Sequence, residues 1–170
     1  MRAAWQIIQK KYPSIYAQGC AGHGVNLLIK DIVSVGDNDK TKKSAEKIIK
    51  FVKNHHLVKS MYENRRALAK VPQTLSMPVV SRWYSRYNAM NSLLSSKYVL
   101  IQLFDDEENI LKSINPKITS LQIANLIKSH DFWNKLTKLV KCLEFPSNVI
   151  GKAFSQFIWK SSNFFLYRQT

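Results

Sequence analysis

Apolar residues recur every three or four positions through most of this chain, a period that directs it toward packed helices and away from a sheet. Phe132, Leu136, Leu139, Val140 and Leu143 make one such stripe over 131–144, and Ala45, Ile48, Ile49 and Val52 make another over 41–55. Val25, Leu28, Ile29 and Ile32 repeat the pattern after Cys20, and Val58, Met61, Tyr62 and Leu68 repeat it over 57–70. Ala4, Ile7 and Ile8 share a face in a short leading helix that Pro13 ends, because proline has no backbone donor. Residues 81–103 read as one long helix or a broken pair, with Ser81 as N-cap and Trp83, Tyr87, Met90 and Leu94 along one stripe. Helices are also expected over 118–128 and, beyond Pro146, over 149–159.

The interruptions are as informative as the stripes. Gly36-Asp37-Asn38-Asp39 reads as a turn, Pro72 and Pro78 bracket a loop, and the acidic run 105–108 suits the start of a helix, where the dipole favours negative charge. Only 14–19 alternates in the manner of a strand, with Ile15 and Ala17 set against Ser14 and Tyr16 and with Gly19 as a turn. The fold class expected is mainly α.

Charge narrows the partners. The 170 residues carry a formal charge of +15, and residues 1–104 hold 17 Lys or Arg against 5 Asp or Glu. A polyanion such as nucleic acid, or an acidic membrane surface, is the natural partner class. No stretch approaches the run of about 18 apolar residues that a membrane span needs, so no membrane span is expected, and of the two polyanions nucleic acid is the partner expected and membrane is not. Two cysteines, Cys20 and Cys142, lie far apart without framework spacing, which points to a reducing compartment.

Three constellations could carry chemistry. Cys20 and His23 stand at the strand-to-helix junction, with His55 and His56 further on; zinc is one use, but no second close ligand pair completes a structural site, and a small buried cysteine beside a local histidine is the simpler reading. Arg82 and Trp83 pair a phosphate fork with a stacking ring, which suits opened DNA, while a core tryptophan beside a solvated arginine is the alternative. The stretch 40–70 holds 10 Lys or Arg against Glu46 and Glu63, and places Lys43, Lys47 and Lys50 opposite the apolar stripe of their helix. Phosphate contact and plain solubility both use such a face.

In order along the chain these blocks resemble one family. Gly19-Cys20-Ala21-Gly22-His23-Gly24-Val25-Asn26-Leu27-Leu28-Ile29-Lys30-Asp31-Ile32 is similar to the Cys-Ala-x-His-x-Leu-Asn-Leu-Leu-x-Lys-Asp-Ile segment of hAT-type DNA transposases of plants and fungi. Phe51-Val52-Lys53-Asn54-His55-His56 resembles the segment that follows, and Ser81-Arg82-Trp83-Tyr84-Ser85 resembles a Thr-Arg-Trp-x-Ser segment with serine in place of threonine. The likeness covers about residues 1–105.

The resemblance implies a ribonuclease-H-like α/β core interrupted by a helical insertion, with residues 1–35 as a remnant of the core (helix, strand, helix) and 36–170 as part of the insertion. Family members hold two divalent metal ions, magnesium or manganese, on three carboxylates, act in the nucleus and form oligomers. By the same resemblance Cys20 and His23 flank the active centre, and Arg82 and Trp83 meet a base flipped out of the duplex. The family's second aspartate lies just upstream of an Arg-Ala-Ala-Trp helix, which here is Arg2-Ala3-Ala4-Trp5, and neither it nor the other catalytic carboxylates can be identified. The expectation is a catalytically incomplete internal segment with no metal cofactor of its own, lacking the dimerisation region and keeping nonspecific DNA binding. An exapted, non-enzymatic protein-interaction module is the alternative.

Overall fold

The computed structural model describes residues 2–14, 21–79, 83–106 and 118–166. Eight helices occupy them: α1 (Arg2–Lys11), α2 (Ala21–Ser34), α3 (Asp37–Asn54), α4 (His56–Leu68), α5 (Trp83–Ser95), α6 (Lys97–Asp106), α7 (Ile118–Lys128) and α8 (His130–Leu166). The protein is mainly α, and no strand occurs among the described residues. The strand expected over 14–19 falls outside them apart from Ser14, which sits in a turn with Pro13.

The apolar period of α3 makes it the central helix. Ala45, Ile48, Ile49 and Val52 are fully buried, Thr41 and Phe51 nearly so, and the helix packs against α2, α4, α5, α7 and α8. Around it, α8 crosses α5 and α2 on the stripe Phe132, Leu136, Leu139, Val140 and Leu143, while α6 joins α4 to α7 through Val99, Leu100, Leu103 and Phe104. Ile29 and Val33 bring α2 into this same apolar core. By contrast, Ile7 and Ile8 of α1 are exposed.

Buried hydroxyls tie α4, α5 and the 72–78 loop together, while that of the buried Ser147 in α8 has no hydrogen-bond partner among the described residues. Ser96, the single residue between α5 and α6, donates its hydroxyl to the Ser92 carbonyl at 2.9 Å, so the buried Tyr62 hydroxyl must donate to Ser96 Oγ at 2.8 Å. Ser92 Oγ accepts the Ser76 amide at 3.1 Å, and Leu75 beside it is buried, so the loop between Pro72 and Pro78 is pinned to α5. At the other end of that loop, the Arg66 guanidinium donates to Glu63 at 2.7 Å and to the Val71 carbonyl at 2.7 Å, and Thr74 donates to Glu63 at 2.6 Å.

Helix α4 ends in a Schellman arrangement: the Val71 amide reaches the Arg66 carbonyl and the Lys70 amide reaches the Ala67 carbonyl, each at 3.1 Å. Lys70 takes the left-handed position with φ 53°, which a Cβ disfavours. Lys70→Gly is therefore expected to stabilise the fold by about 0.5–1 kcal/mol in urea denaturation. A loss of stability would show that the lysine side chain has a role there beyond the backbone.

Four expectations are corrected. The turn proposed over 36–39 is only Gly36, with φ 51°; α3 already begins at Asp37. Asp105 and Asp106 do not start a helix but close α6, where the dipole disfavours them, and each meets a cation instead: Lys128 at 3.0 Å and Arg65 at 2.7 Å. Leu28 and Leu68, read as inner positions, are exposed, Leu68 because it is the last residue of its helix. Pro146 does not separate two helices: α8 runs through it from His130 to Leu166.

Candidate nucleic-acid interface

Helix α3 carries both faces of the argument. Its apolar stripe is consumed by the core, and its remaining surface holds the lysines. At its N-terminus Asp37 and Asp39 suit the helix dipole, and they also bind cations. Asp39 accepts Lys42 at 2.6 Å and Lys43 at 2.7 Å, and these hydrogen bonds, that of Lys42 foremost, lower its carboxyl to a pKa of about 2. Asp37 lies 3.4 Å from Lys135, which also holds Asp131 at 2.8 Å, so one ammonium ties the start of α3 to the start of α8. Ser129 caps α8 there, its hydroxyl accepting the Phe132 amide at 3.2 Å.

This pairing separates the lysines that sequence treats alike. Of the ten Lys and Arg in 40–70, Lys40, Lys42, Lys43, Arg65 and Arg66 are engaged with Asp37, Asp39, Asp106 or Glu63. Lys43 is one of them: its hydrogen bond to Asp39 raises its pKa and offsets its charge locally. Lys47 and Lys50 are exposed and pair with no carboxylate among the described residues.

Those two lysines stand on the rim of a groove of about 290 Å³ between α3 and α7. Lys47, Lys50, Phe51 and Asn54 follow one another at helical spacing and form its α3 side, and Gln122, Ile123 and Leu126 form the facing wall on α7. The floor is apolar, with Phe51 and Ile123 almost wholly buried. His55 closes one end, its ring centroid 4.5 Å from that of Phe51. Its Nδ1 lies 2.7 Å from the Phe51 carbonyl, an acceptor, so Nδ1 carries the proton and Nε2 is turned to other partners. The groove combines two ammonium groups that pair with no carboxylate among the described residues, two exposed side-chain amides and a largely buried aromatic-aliphatic floor. Such a set can hold an anion at its edge.

The other residues singled out by sequence are not brought to this groove. His23 is exposed near the start of α2, while Cys20 and Arg82 lie outside the described residues. Trp83 opens α5, and its side chain also lies outside the described residues. His55 enters the site through its neighbour Phe51 and not as a metal ligand; among the described residues no three His, Cys, Asp or Glu side chains gather in a way that could hold a metal ion. No described helix is long and apolar enough to cross a membrane. Sequence reading missed Asn54 and Gln122: the spacing 47, 50, 51, 54 is visible in the chain, but the wall on α7 comes from about 70 residues away.

Comparison with protein-family models, with curated proteins and with solved structures gives no match to this chain.

Proposed function

We propose that this chain is a nucleic-acid-binding helical segment of hAT-type transposase descent, which holds the phosphate backbone through the lysine face of α3 and is not itself a catalyst. The observation that carries the binding reading is the division of the lysines along α3: Lys47 and Lys50 stand exposed side by side on this central helix and pair with no carboxylate among the described residues, whereas Lys40, Lys42 and Lys43 are engaged by Asp37 or Asp39. Two cations one helical turn apart on a well-packed helix can meet one stretch of phosphate backbone together. The descent rests on the three sequence blocks and their order, from Gly19 to Ile32, from Phe51 to His56 and from Ser81 to Ser85. In this reading residues 1–35 derive from a ribonuclease-H-like core and the helices from α3 onward from its insertion, and the protein acts in the nucleus.

The test is the salt dependence of binding to a labelled duplex, followed by fluorescence anisotropy. Each phosphate contact contributes about −0.9 to the slope of log K against log salt, so Lys47 and Lys50 alone require a slope of about −2 or steeper. Duplexes of unrelated sequence should bind equally. Affinity that holds steady between ~50 and ~200 mM salt would overturn the phosphate-contact reading, as would a strong preference for one sequence.

A further inference from the structure

We infer that the outer face of α2 receives α1 of a second copy of this chain, so that two copies pair about a twofold axis with each first helix laid on the partner's second. The contact uses no residue of the α3 groove, so it stands or falls apart from the phosphate reading. Helix α2 is apolar on two sides. Ile29 and Val33 face the core, while Leu27, Leu28 and Val35 lie on the other side in the open, Leu28 with 51% of its surface exposed. Helix α1 also holds an apolar stripe in the open: Ile7 is 68% exposed, and Ile8 and Tyr12 beside it are exposed too. No residue of α1 belongs to the apolar core. Each chain thus presents two uncovered apolar stripes, and a closed pair of chains covers all four.

Spacing and charge select this occupant. Ala4, Ile7, Ile8 and Lys11 stand at the same intervals as Gly24, Leu27, Leu28 and Asp31. Laid parallel, the two helices set isoleucine on leucine twice and Lys11 beside Asp31. They also set Ala4 on Gly24, where a Cβ would meet nothing within 4 Å, and two such small residues let the helix axes close up. Asp31 is exposed and pairs with no cation among the described residues, in contrast to Asp37, Asp39 and Glu63. Lys11 is exposed and lies 5.6 Å from the ring centroid of Tyr12, with no carboxylate beside it among the described residues. Other arrangements lose the match. Pairing α1 with the partner's α1 sets lysine against lysine, because α1 has no acidic residue. Antiparallel packing on α2 moves Lys11 to Gly24 and leaves Asp31 opposite Ala4. A helix of 10 residues is only about 15 Å long, so even two such contacts place the dimer in the weak, exchanging class.

The experiment is sedimentation equilibrium of the full 170-residue chain from about 5 to ~200 µM, the range in which a weak dimer shows, at ~0.15 M salt to screen the repulsion between two copies of charge +15. A monomer–dimer equilibrium is expected. Leu28→Gln and Ile8→Gln change exposed positions, so each should melt like the parent and weaken the dimer by about tenfold or more. Lys11→Glu tests the pairing itself. It lowers the net charge, so an association opposed only by overall charge would tighten, whereas repulsion from Asp31 at two contacts should weaken the dimer about fivefold. Adding Asp31→Lys to the same chain should restore the parent's affinity. A chain that stays monomeric up to ~200 µM overturns the inference. So does a dimer that keeps its strength in both glutamine variants, which places the contact elsewhere, and so does one that Lys11→Glu tightens.

Discussion

Trp133→Ala is expected to lower the stability of the fold by about 3–5 kcal/mol, the range for deleting a large aromatic side chain from a packed interior. Trp133 is 2% exposed and is among the largest fully buried side chains, so little of the space it leaves can be refilled by water or by movement of the backbone. A second loss accompanies the cavity. The indole Nε1 donates to the Ile127 carbonyl at 2.7 Å, and that carbonyl belongs to the last turn of α7, where no amide of the helix is left to satisfy it. The same ring meets Phe132 edge-on at 5.1 Å and lies 5.8 Å from the Lys97 ammonium. Trp133 therefore ends α7, starts α8 and touches α6 at once. Trp133→Phe separates the two contributions: it keeps most of the volume and loses the N–H, so about 1–2 kcal/mol is expected. Because domains of this size have only about 5–15 kcal/mol in hand, the alanine change alone should leave a measurable unfolded population in mild urea. An alanine variant within about 1 kcal/mol of the parent would show that the α7–α8 junction is not a keystone of the core.

The Trp133 contact illustrates how far periodicity reaches. The stripe from Phe132 to Leu143 and the stripe of α3 are legible because a 3.6-residue repeat is a local property, and the bounds of α7 at 118–128 follow from the same signal. What periodicity does not contain is which carbonyl an indole will meet, or which helix will lie across from a lysine. Pro146 shows a different limit. Proline forfeits a single amide and crowds the preceding turn, a local cost; Pro146 and Ser147 are buried, and packing of the helix against α2 and α5 outweighs it. Asp105 and Asp106 fail as a helix start for a related reason. Composition at a terminus states a preference worth a fraction of a kcal/mol, and cations supplied by α4 and α7 from distant parts of the chain reverse it. The candidate site was half legible: Lys47 and Lys50 were named from sequence, but their difference from Lys43 depends on where Asp39 points, and the groove depends on α7.

That difference sets up the largest functional effect. Lys47→Gln combined with Lys50→Gln removes two phosphate contacts, and at ~0.1 M salt the counterions they release are worth about 60-fold in duplex affinity. The loss should itself depend on salt, near ~200-fold at ~50 mM and falling to ~20-fold at ~200 mM, because the slope of log K against log salt becomes shallower by about 2. Lys43→Gln should cost less than either single change at the rim, since Asp39 already holds that ammonium at 2.7 Å and the side chain must leave it to reach a phosphate. Lys138→Gln with Lys141→Gln is the matched control: both are exposed on α8, and the pair lowers the net charge by the same amount without touching a lysine of α3. If binding followed overall charge alone, the two double variants would weaken it equally and change the slope equally. A face on α3 predicts that the control costs much less than the α3 pair, because lysines that touch no phosphate act only through a field that salt screens. Equal losses in the two double variants would therefore remove α3 as the interface and leave only a basic protein attracted to a polyanion.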